Sequence, residues 1–398
     1  MAQLTSRERM LRTINRQVVD HYPCCFMSFT ALREKLGDNL YELTKAELGM
    51  GLDTMLFIPT TPRALRREHP DLRGLPVHFD PQVKTTEWRE EVSGDYPLLH
   101  KVYDTPAGRL TTSVRLTEDW RFGNRIPFVD DYQIPRALKP LITEPHELEA
   151  LQFMLRPPTE ADIAAYREEV HVARAFVESH GVLLAGGWGV GMDLANWLCG
   201  MEPLMFHMMD RPQFVDDLLE MIHVWNLQRM EVVLSAPPDI FIRRAWYEGC
   251  DFVTPGFYHK SILPRLKAEV DLAHQHGAKF GYICSSGLEP MLADHLAAGL
   301  DMLIGIDPVQ GRRTNLTQIK ETIGSTTCLW GGVSGAVTVE RGTEEEVRTA
   351  VREAVQSLGP DGFILSPVDN LTIDAPQTWR NVDIFIDEWH RTWPSEPA

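Results

Sequence analysis

Cys284 lies where a strand-like run of residues breaks into a polar loop, and a thiol at such a point can take part in chemistry. The run 279–283 is rich in β-forming residues, and Cys284 is followed by two serines and Gly287. In α/β barrels the carboxyl ends of the strands carry the catalytic side chains. A cysteine there is a soft metal ligand or a nucleophile. The alternative is that Cys284 only packs in the core, as many free cysteines do.

A second concentration of chemically active side chains ends the preceding predicted strand. It combines cationic, aromatic, acidic and thiol groups: Arg243, Arg244, Trp246, Tyr247, Glu248 and Cys250. Neighbouring residues of a strand face opposite sides, so at most one of the two arginines faces the interior of a barrel. A buried arginine needs a carboxylate partner, which is either a protein acid or a substrate.

The elements that must position these residues alternate along the chain. Eight apolar runs are predicted as strands: 24–29, 54–58, 182–186, 240–246, 280–284, 303–306, 328–332 and 363–366. Most are continuously hydrophobic, as strands of a parallel sheet covered on both faces are. Helical periodicity lies between most of them. The pattern predicts an α/β fold, a single (β/α)8 TIM barrel domain over residues 1–398.

Residues 75–158 depart from this rhythm between the second and third predicted strands. Pro106 and Gly108 provide turn chemistry between two β-forming runs, which predicts a β-hairpin within this insertion. We expect the insertion to stand on the barrel rim. It serves there either as a lid or docking surface, or as a structural decoration or the contact of a homodimer.

Composition excludes several classes of partner. A net charge of −17 argues against nucleic acid or an anionic membrane surface. Six cysteines in 398 residues do not form a disulfide framework and fit a reducing, cytoplasmic location. The amino-terminal residues 1–15 read as a charged amphipathic helix rather than a signal peptide. No apolar run approaches the length of about 18 residues that a membrane helix needs.

Several short motifs follow one another in a recognisable order. They are G-M-E-P at 200–203, T-P at 254–255, C-S-S-G at 284–287, L-W-G-G-V at 329–333 and S-P-V-D-N at 366–370. In this combination they resemble the uroporphyrinogen decarboxylase superfamily. The resemblance covers most of the chain, is weakest in the insertion, and implies the same (β/α)8 barrel.

That superfamily contains two different activities, and the resemblance is closer to one of them. One branch decarboxylates uroporphyrinogen without a cofactor and carries an R-Q-A-G-R motif, which is absent from residues 28–34. The other transfers methyl groups to or from a corrinoid, usually with zinc. The resemblance therefore implies a methyltransferase of the O-demethylase kind. It would move a methyl group from a small methoxylated or methylated substrate to a corrinoid on a partner protein.

Two other functions stay open at this point. One is a cofactor-free decarboxylase or lyase that holds a carboxylated substrate with Arg243 or Arg244. The other is a non-catalytic barrel that has lost its metal site, because fold alone does not determine function.

The resemblance also implies a metal site, although the family's ligands are only partly kept. When Gly287 is matched to the motif glycine, Cys284 falls at the position of a histidine ligand. Asp369, counted back from Pro376, falls at the last ligand position. Zinc sites usually have three protein ligands and one open position. Cys284 and Asp369 with either Glu248 or Cys250 would supply them.

Acid catalysis and substrate binding are assigned to the same strand ends. Without a metal, Glu248, Tyr247 or Asp369 would act as the general acid. Trp188 and Trp246 are predicted to wall an aromatic or apolar substrate, or else to pack in the core. We therefore expect Glu248, Tyr247 and Arg244 to be catalytic, and Trp188, Trp246 and Arg243 to bind the substrate.

Overall fold

Strands occur throughout the length of the chain. The computed structural model describes residues 3–58, 79–310 and 314–393. In chain order, the strands of this described part are β1 (Met55–Phe57), β2 (Lys84–Glu90), β3 (Leu98–Thr105), β4 (Gly108–Arg115), β5 (Ala137–Lys139), β6 (Leu183–Gly189), β7 (Ile240–Arg244), β8 (Lys279–Ile283), β9 (Met302–Ile306), β10 (Cys328–Ser334) and β11 (Phe363–Val368).

Helices separate most of these strands. Those of the described residues are α1 (Ser6–Ile14), α2 (Thr30–Leu36), α3 (Leu40–Gly49), α4 (Leu148–Leu151), α5 (Glu160–His180), α6 (Met192–Cys199), α7 (Met201–Asp210), α8 (Pro212–Leu234), α9 (Pro255–Phe257), α10 (Leu263–Gln275), α11 (Leu292–Ala298), α12 (Leu316–Ile323), α13 (Glu344–Leu358) and α14 (Pro376–Arg391). Single 3-10 turns lie at Pro145–Glu147 and Glu289–Met291, and π-helical turns at Tyr258–Ile262 and Gly335–Val339.

The chain divides into two compact units. The first comprises Met1–Ile58, Glu169–Gly186 and Pro237–Ala398, and the second comprises Pro59–Glu168 and Gly187–Ala236. Within the predicted insertion, residues 75–78 lie outside the described residues, and the remainder belongs to the second unit. Across the described part of the chain, no helix has the length and apolar character needed to cross a membrane.

A parallel sheet in the order β1-β6-β7-β8-β9-β10-β11 dominates the first unit. The segment 23–25 links its two edges. Leu365 of β11 donates to the carbonyl of Pro23 at 2.9 Å, and Asp53, just before β1, donates to the carbonyl of Cys24 at 2.8 Å. The sheet is therefore curled, with this short segment hydrogen-bonded on both sides.

Seven of the eight predicted strands are strands in the structure, and the first is not. The run 24–29 contributes a single bridge, between Cys24 and Leu365. Its backbone then leaves the ladder, because the N–H of Met27 donates to the Ser366 hydroxyl at 3.0 Å and α2 begins at Thr30. The apolar character of this run reflects burial and not strand pairing, since Phe26 and Phe29 are buried.

Helix α13 begins where local sequence signals place its start. The Thr343 hydroxyl accepts from the backbone N–H of Glu346, and the Glu346 carboxylate accepts from the backbone of Thr343 at 2.7 Å. This reciprocal capping satisfies N–H groups that a helix leaves without partners in its first turn. The negative charges of three glutamates in that turn also interact favourably with the positive end of the helix dipole.

The second unit contains an antiparallel sheet in the order β2-β3-β4-β5. Strands β3 and β4 pair along their whole length, with Thr105 opposite Gly108 at the turn. One face of this sheet packs on a small apolar cluster that contains Leu99, Val114, Trp120 and Ile126. Alternation along β4 produces this arrangement, because every second side chain of a strand faces the same side.

Candidate active site at the strand ends

The two arginines of β7 lie on opposite faces of the sheet. Arg243 is opposite Tyr282 in the register between β7 and β8, and Arg244 is opposite Ile283. The Nε atom of Arg243 lies 2.6 Å from Glu269, which belongs to α10. Arg243 therefore faces the helical layer, and Arg244 faces the inner side of the curled sheet.

Arg243 is paired with protein carboxylates. Its two terminal nitrogens donate to Glu248 at 2.6 and 2.9 Å, a bidentate geometry, and its Nε faces Glu269. Burial opposes the charge, but Glu248 and Glu269 together raise the pKa of Arg243 well above its ordinary value. Protein acids are thus the carboxylate partners of this buried arginine, and the prediction that Arg243 binds substrate stays a prediction.

Glu248 is an internal residue of this network. Its side chain is fully buried, and besides the two bonds from Arg243 it accepts a hydrogen bond from the Tyr282 hydroxyl at 2.5 Å. A buried carboxylate with these partners holds the loop after β7 against β8. Both carboxylate oxygens of Glu248 accept hydrogen bonds within this network, and its predicted role as a catalytic acid or metal ligand stays a prediction.

Two tyrosines extend the network beneath the loops. The Tyr258 hydroxyl donates to the Tyr282 hydroxyl at 3.4 Å, and both rings pack edge-on to His295 of α11. Burial raises the pKa of both phenols well above the ordinary value, so both are protonated at neutral pH. Burial lowers the pKa of His295 to about 4, so its ring is neutral.

Cys284 is enclosed by the loop that follows β7. Its side chain is fully buried, and its Sγ lies 3.8 Å from the carbonyl oxygen of Ser286. A Cβ added to Gly249 would come within 2.0 Å of that same oxygen and 3.5 Å of the Sγ. The backbone at Gly249 therefore lies directly against Cys284, and this tight approach requires glycine.

Gly287 brings the loops after β7 and β8 together from the other side. It has φ +63°, and a Cβ there would lie 2.5 Å from the backbone nitrogens of Cys250 and Asp251. Its carbonyl accepts from the N–H of Cys250 at 3.1 Å. Both the left-handed conformation and the crowding favour glycine at this position.

The residues present do not fit the predicted zinc ion. Among the described residues, no group of three or more His, Cys, Asp or Glu side chains is arranged to hold a metal. Cys284, Asp369, Glu248 and Cys250 are thus not assembled as a ligand set. Glu248 is engaged by Arg243, and burial together with nearby Asp251 and Asp294 raises the pKa of the Cys250 thiol to about 11.

On the inner side of the sheet, at the end of β7, the cationic side chain of Arg244 packs on an aromatic ring. The Arg244 guanidinium lies 4.3 Å from the ring centroid of Trp246, a favourable stacking distance. Arg244 is 8% exposed, whereas Trp246 and Tyr247 are partly exposed. The Tyr247 ring packs edge-on to Phe252 at 5.4 Å. The structure thus brings Arg244 and Trp246 together, whereas the Tyr247 ring packs on Phe252.

Asp307 lies at the end of a predicted strand, but nothing in the sequence assigned it a catalytic or ligand role. It follows β9 directly, and its Oδ1 accepts from the N–H groups of Val309 at 2.7 Å and Gln310 at 3.0 Å. Its Oδ2 and the hydroxyl of Ser334, at the end of β10, are both buried without a hydrogen-bond partner in the described part of the chain. Burial raises the pKa of Asp307, and the backbone N–H groups of Gln310 and Val309 partly offset this rise. The available signal was an aspartate directly after a fully apolar strand.

Trp188 and Asp369 complete the predicted residues. Trp188 is the last residue but one of β6, belongs to the second unit, is 8% exposed and has φ +75°. A non-glycine residue in this left-handed region is uncommon and frequently marks a functional position. Asp369 follows β11 and is partly buried. The roles predicted for both residues stay predictions.

Comparison with known proteins identifies the family. A family model described as uroporphyrinogen decarboxylase (URO-D) matches residues 100–392. The chain belongs to the URO-D family. The match includes β7 to β11 and every residue of the network around Arg243. Comparison with curated proteins gave no significant match.

Solved structures are similar to this URO-D family chain at low sequence identity. A methyltransferase from Methanosarcina mazei is 15% identical, with a TM-score of 0.58, over 98% of this chain and 99% of its own. A B12-independent methionine synthase from Shewanella sp. W3-18-1, in complex with selenomethionine, is 10% identical, with a TM-score of 0.45, over 93% of this chain and 97% of its own. The first similarity extends the shared fold over nearly the whole chain.

Proposed function

We propose that this URO-D family protein is a methyltransferase. It would take a methyl group from a small methylated or methoxylated compound and pass it to a corrinoid carried by a partner protein. The observation that carries the proposal is that the two arginines of β7 lie on opposite faces of the sheet and have different partners. Arg243 is neutralised by Glu248 and Glu269 in the helical layer, while Arg244 lies on the inner side against Trp246.

This division argues against a porphyrinogen as substrate. A tetrapyrrole with many carboxylates would need several cationic partners. At the end of β7 one of the two arginines is withdrawn from the inner side, and the ends of β9 and β11 carry Asp307 and Asp369. One stacked guanidinium beside partly exposed aromatic rings suits a smaller substrate with one acceptor group and an apolar or aromatic body.

Each residue then has a defined task. Trp246 and Tyr247 would wall the substrate, and Arg244 would hold its acceptor group so that the methyl group faces the open side. The leaving oxygen or nitrogen needs a proton, which Tyr247, Asp369 or Asp307 would donate. When bound, the reduced corrinoid supplies the nucleophile that accepts the methyl group. No step is assigned to zinc.

The complete barrel belongs to the same proposal. The hydrogen bonds of residues 23–25 to β11 and to Asp53 support closure of the curled sheet as a (β/α)8 barrel, with the segment containing β2 to β5 inserted between its second and third strands. Closure would gather the ends of β7 to β11 on one face, as the chemistry requires.

A cobalamin assay tests the methyl transfer. Free cob(I)alamin is supplied with methoxylated aromatics, methylamines and methyl thioethers, and its methylation is followed by absorbance. We expect turnover with at least one class and a loss of at least about tenfold for Arg244→Ala, the loss of a single charged hydrogen bond. Arg89→Ala, which removes an exposed cation of β2, is the control. Absence of turnover with ethers, amines and thioethers alike would contradict the proposal.

A decarboxylase or lyase acting on a small carboxylated compound is the second candidate. The single observation that favours it is the position of Arg244 on the inner side, where it could bind a carboxylate. Carbon dioxide release from a panel of small aromatic acids, dependent on Arg244 and independent of cobalamin, would support this candidate over methyl transfer.

A further inference from the structure

The turn that joins β6 to α6 holds a tryptophan in an unusual backbone conformation. It has the sequence G-G-W-G-V-G over residues 186–191. Trp188 has φ +75°, and Gly187 before it has φ +111°. A residue with a side chain is strained in the left-handed region, and such a conformation persists where the surrounding structure holds it. Contacts from other segments must therefore keep Trp188 in this conformation.

Val190, two residues after the tryptophan, has a backbone N–H that lies between two elements. β6 ends at Gly189, and Gly191 is already the N-cap residue of α6. Val190 is fully buried, so its N–H needs an acceptor within the protein. That acceptor is the side-chain oxygen of Asn226, at 3.2 Å. One side chain of α8 thus fixes the backbone of the turn.

Asn226 is an unusual residue for its position. It lies in the interior of α8 and is fully buried. Asparagine is a poor helix former, and a buried amide is unfavourable unless it is hydrogen-bonded. Its Nδ2 has a weak partner, the sulfur of Met230 at 3.9 Å. The hydrogen bond from Val190 is therefore the stronger interaction that offsets the burial of this side chain.

We propose that Asn226 is a positioning residue for Trp188. By accepting from Val190, it fixes the backbone just after the tryptophan and keeps Trp188 left-handed at the carboxyl end of β6. Barrels carry their substrate-binding residues at such strand ends, and Trp188 is predicted to wall an aromatic or apolar substrate. The contact of Trp188 with a substrate rests on the proposed function, whereas the hold of Asn226 on the backbone does not.

Stability measurements test this hold without any substrate. Trp188→Gly and Trp188→Ala both remove the indole, but alanine alone is strained at a positive φ. With Asn226 present, we expect the urea midpoint of Trp188→Gly to be higher by about 0.3 M. When Asn226→Leu is added to both variants, the turn can relax. The advantage of glycine should then disappear or reverse, because glycine has more freedom in the unfolded chain.

Asn196→Leu is the matched control for Asn226→Leu. Asn196 is also a buried asparagine of a helix, but its amide donates to Met192 within the same helix. The advantage of Trp188→Gly should persist beside this control. An advantage that also persists beside Asn226→Leu, or that is absent from the start, would overturn the proposal. If Asn226→Leu does not fold, Asn226→Ala removes the same acceptor without adding volume and takes its place.

The cobalamin assay adds a measurement that a purely structural role of Asn226 would not change. Trp188→Ala and Asn226→Leu should each raise KM for the methyl donor at least about fivefold and leave kcat within about twofold. The reason is that a wall of the site binds the substrate and the transition state alike. Asn196→Leu should leave KM unchanged. A KM raised by Trp188→Ala but not by Asn226→Leu would contradict the proposal. If no donor is methylated, the proposed function fails, and the urea comparison still decides the role of Asn226.

Discussion

At the scale of single residues, the position of Arg243 changes the chemistry assigned to its neighbours. Its guanidinium bridges Glu248 and Glu269, and Tyr282 donates to the same Glu248. A buried charge cluster is stable only while its members satisfy one another. Glu248 and Arg243 therefore stabilise the end of β7, and Arg244, Trp246 and Tyr247 are the residues that we propose contact the substrate.

Removing one carboxylate from this cluster should destabilise the protein. Glu248→Gln keeps the shape of the side chain but leaves Arg243 with Glu269 as its remaining anion. Breaking a buried ion pair costs about 3 kcal/mol, so we expect a loss of that order in the free energy of unfolding measured with urea. Glu91→Gln, which breaks the exposed pair with Arg89, should cost at most about 1 kcal/mol. Unchanged stability with lost turnover would instead show that Glu248 is catalytic.

At the scale of elements, two glycines determine how the loops after β7 and β8 meet. Gly249 lies against the carbonyl of Ser286, and Gly287 lies against the backbone of Cys250 and Asp251. These contacts join backbone to backbone, which cannot be relieved by a change of side-chain rotamer. The loops that border the candidate site are thus held in position by the absence of two Cβ atoms.

A methyl group at Gly287 should therefore disturb the site. Gly287→Ala would place its Cβ 2.5 Å from two backbone nitrogens, in addition to the strain of a left-handed alanine. We expect a loss of more than about 2 kcal/mol in stability, because overpacking and backbone strain add together. Gly94→Ala is the matched control, since Gly94 has φ +80° but no atom within 4 Å of an added Cβ.

Gly94→Ala should lower the free energy of unfolding by only about 1 kcal/mol, which is the strain of an alanine in the left-handed conformation. Both variants are compared by urea unfolding and by the cobalamin assay. Equal losses of stability in the two would show that the loops after β7 and β8 can separate without penalty.

At the scale of the whole molecule, buried neutral histidines make stability depend on pH. His295 is fully buried, both ring nitrogens have no hydrogen-bond partner within the described residues, and burial lowers its pKa to about 4. The unfolded chain binds a proton at this residue near pH 6.5, well before the folded protein does. The contribution of neutral His295 to the free energy of unfolding is therefore fully present above pH 6.5 and is lost as the pH falls towards 4.

Replacing His295 should remove this part of the pH dependence. When the pH falls from 7.5 to 4, the wild type should lose about 3 kcal/mol more unfolding free energy than His295→Leu loses. Urea unfolding at a series of pH values measures this shift. His21, with a pKa also lowered to about 4, stays in both proteins and cancels in the comparison. A pH-independent difference would mean that His295 is accessible to protons in the folded state.

Local features of the sequence were sufficient for much of the fold. The continuous apolar runs predicted seven strands of the parallel sheet, and Thr343 with Glu346 marked the start of α13. Such signals depend on residues close together in the chain, and strands and helix caps are formed locally. The prediction of a strand at 24–29 was wrong because buried segments and paired strands contain the same apolar residues.

The chemistry of the strand ends was predicted less completely. The alternation of β7 showed that only one of Arg243 and Arg244 faces inward, but it could not show which one. That choice depends on Glu269, which reaches Arg243 from α10 and carries no local mark of this role. The family's ligand positions placed Cys284 in a zinc site, whereas the surrounding loops enclose it.

The sequence by itself determined the order of strands and helices, the family, and the end of the sheet at which reactive side chains collect. Only the tertiary structure decided that Cys284 is covered by the backbone at Gly249, that Glu248 serves Arg243, and that Asp307 is buried with an unpaired oxygen. The physical reason is that periodicity and caps are properties of neighbouring residues. The partner of a charge and the exposure of a thiol depend on segments that meet only when the chain folds.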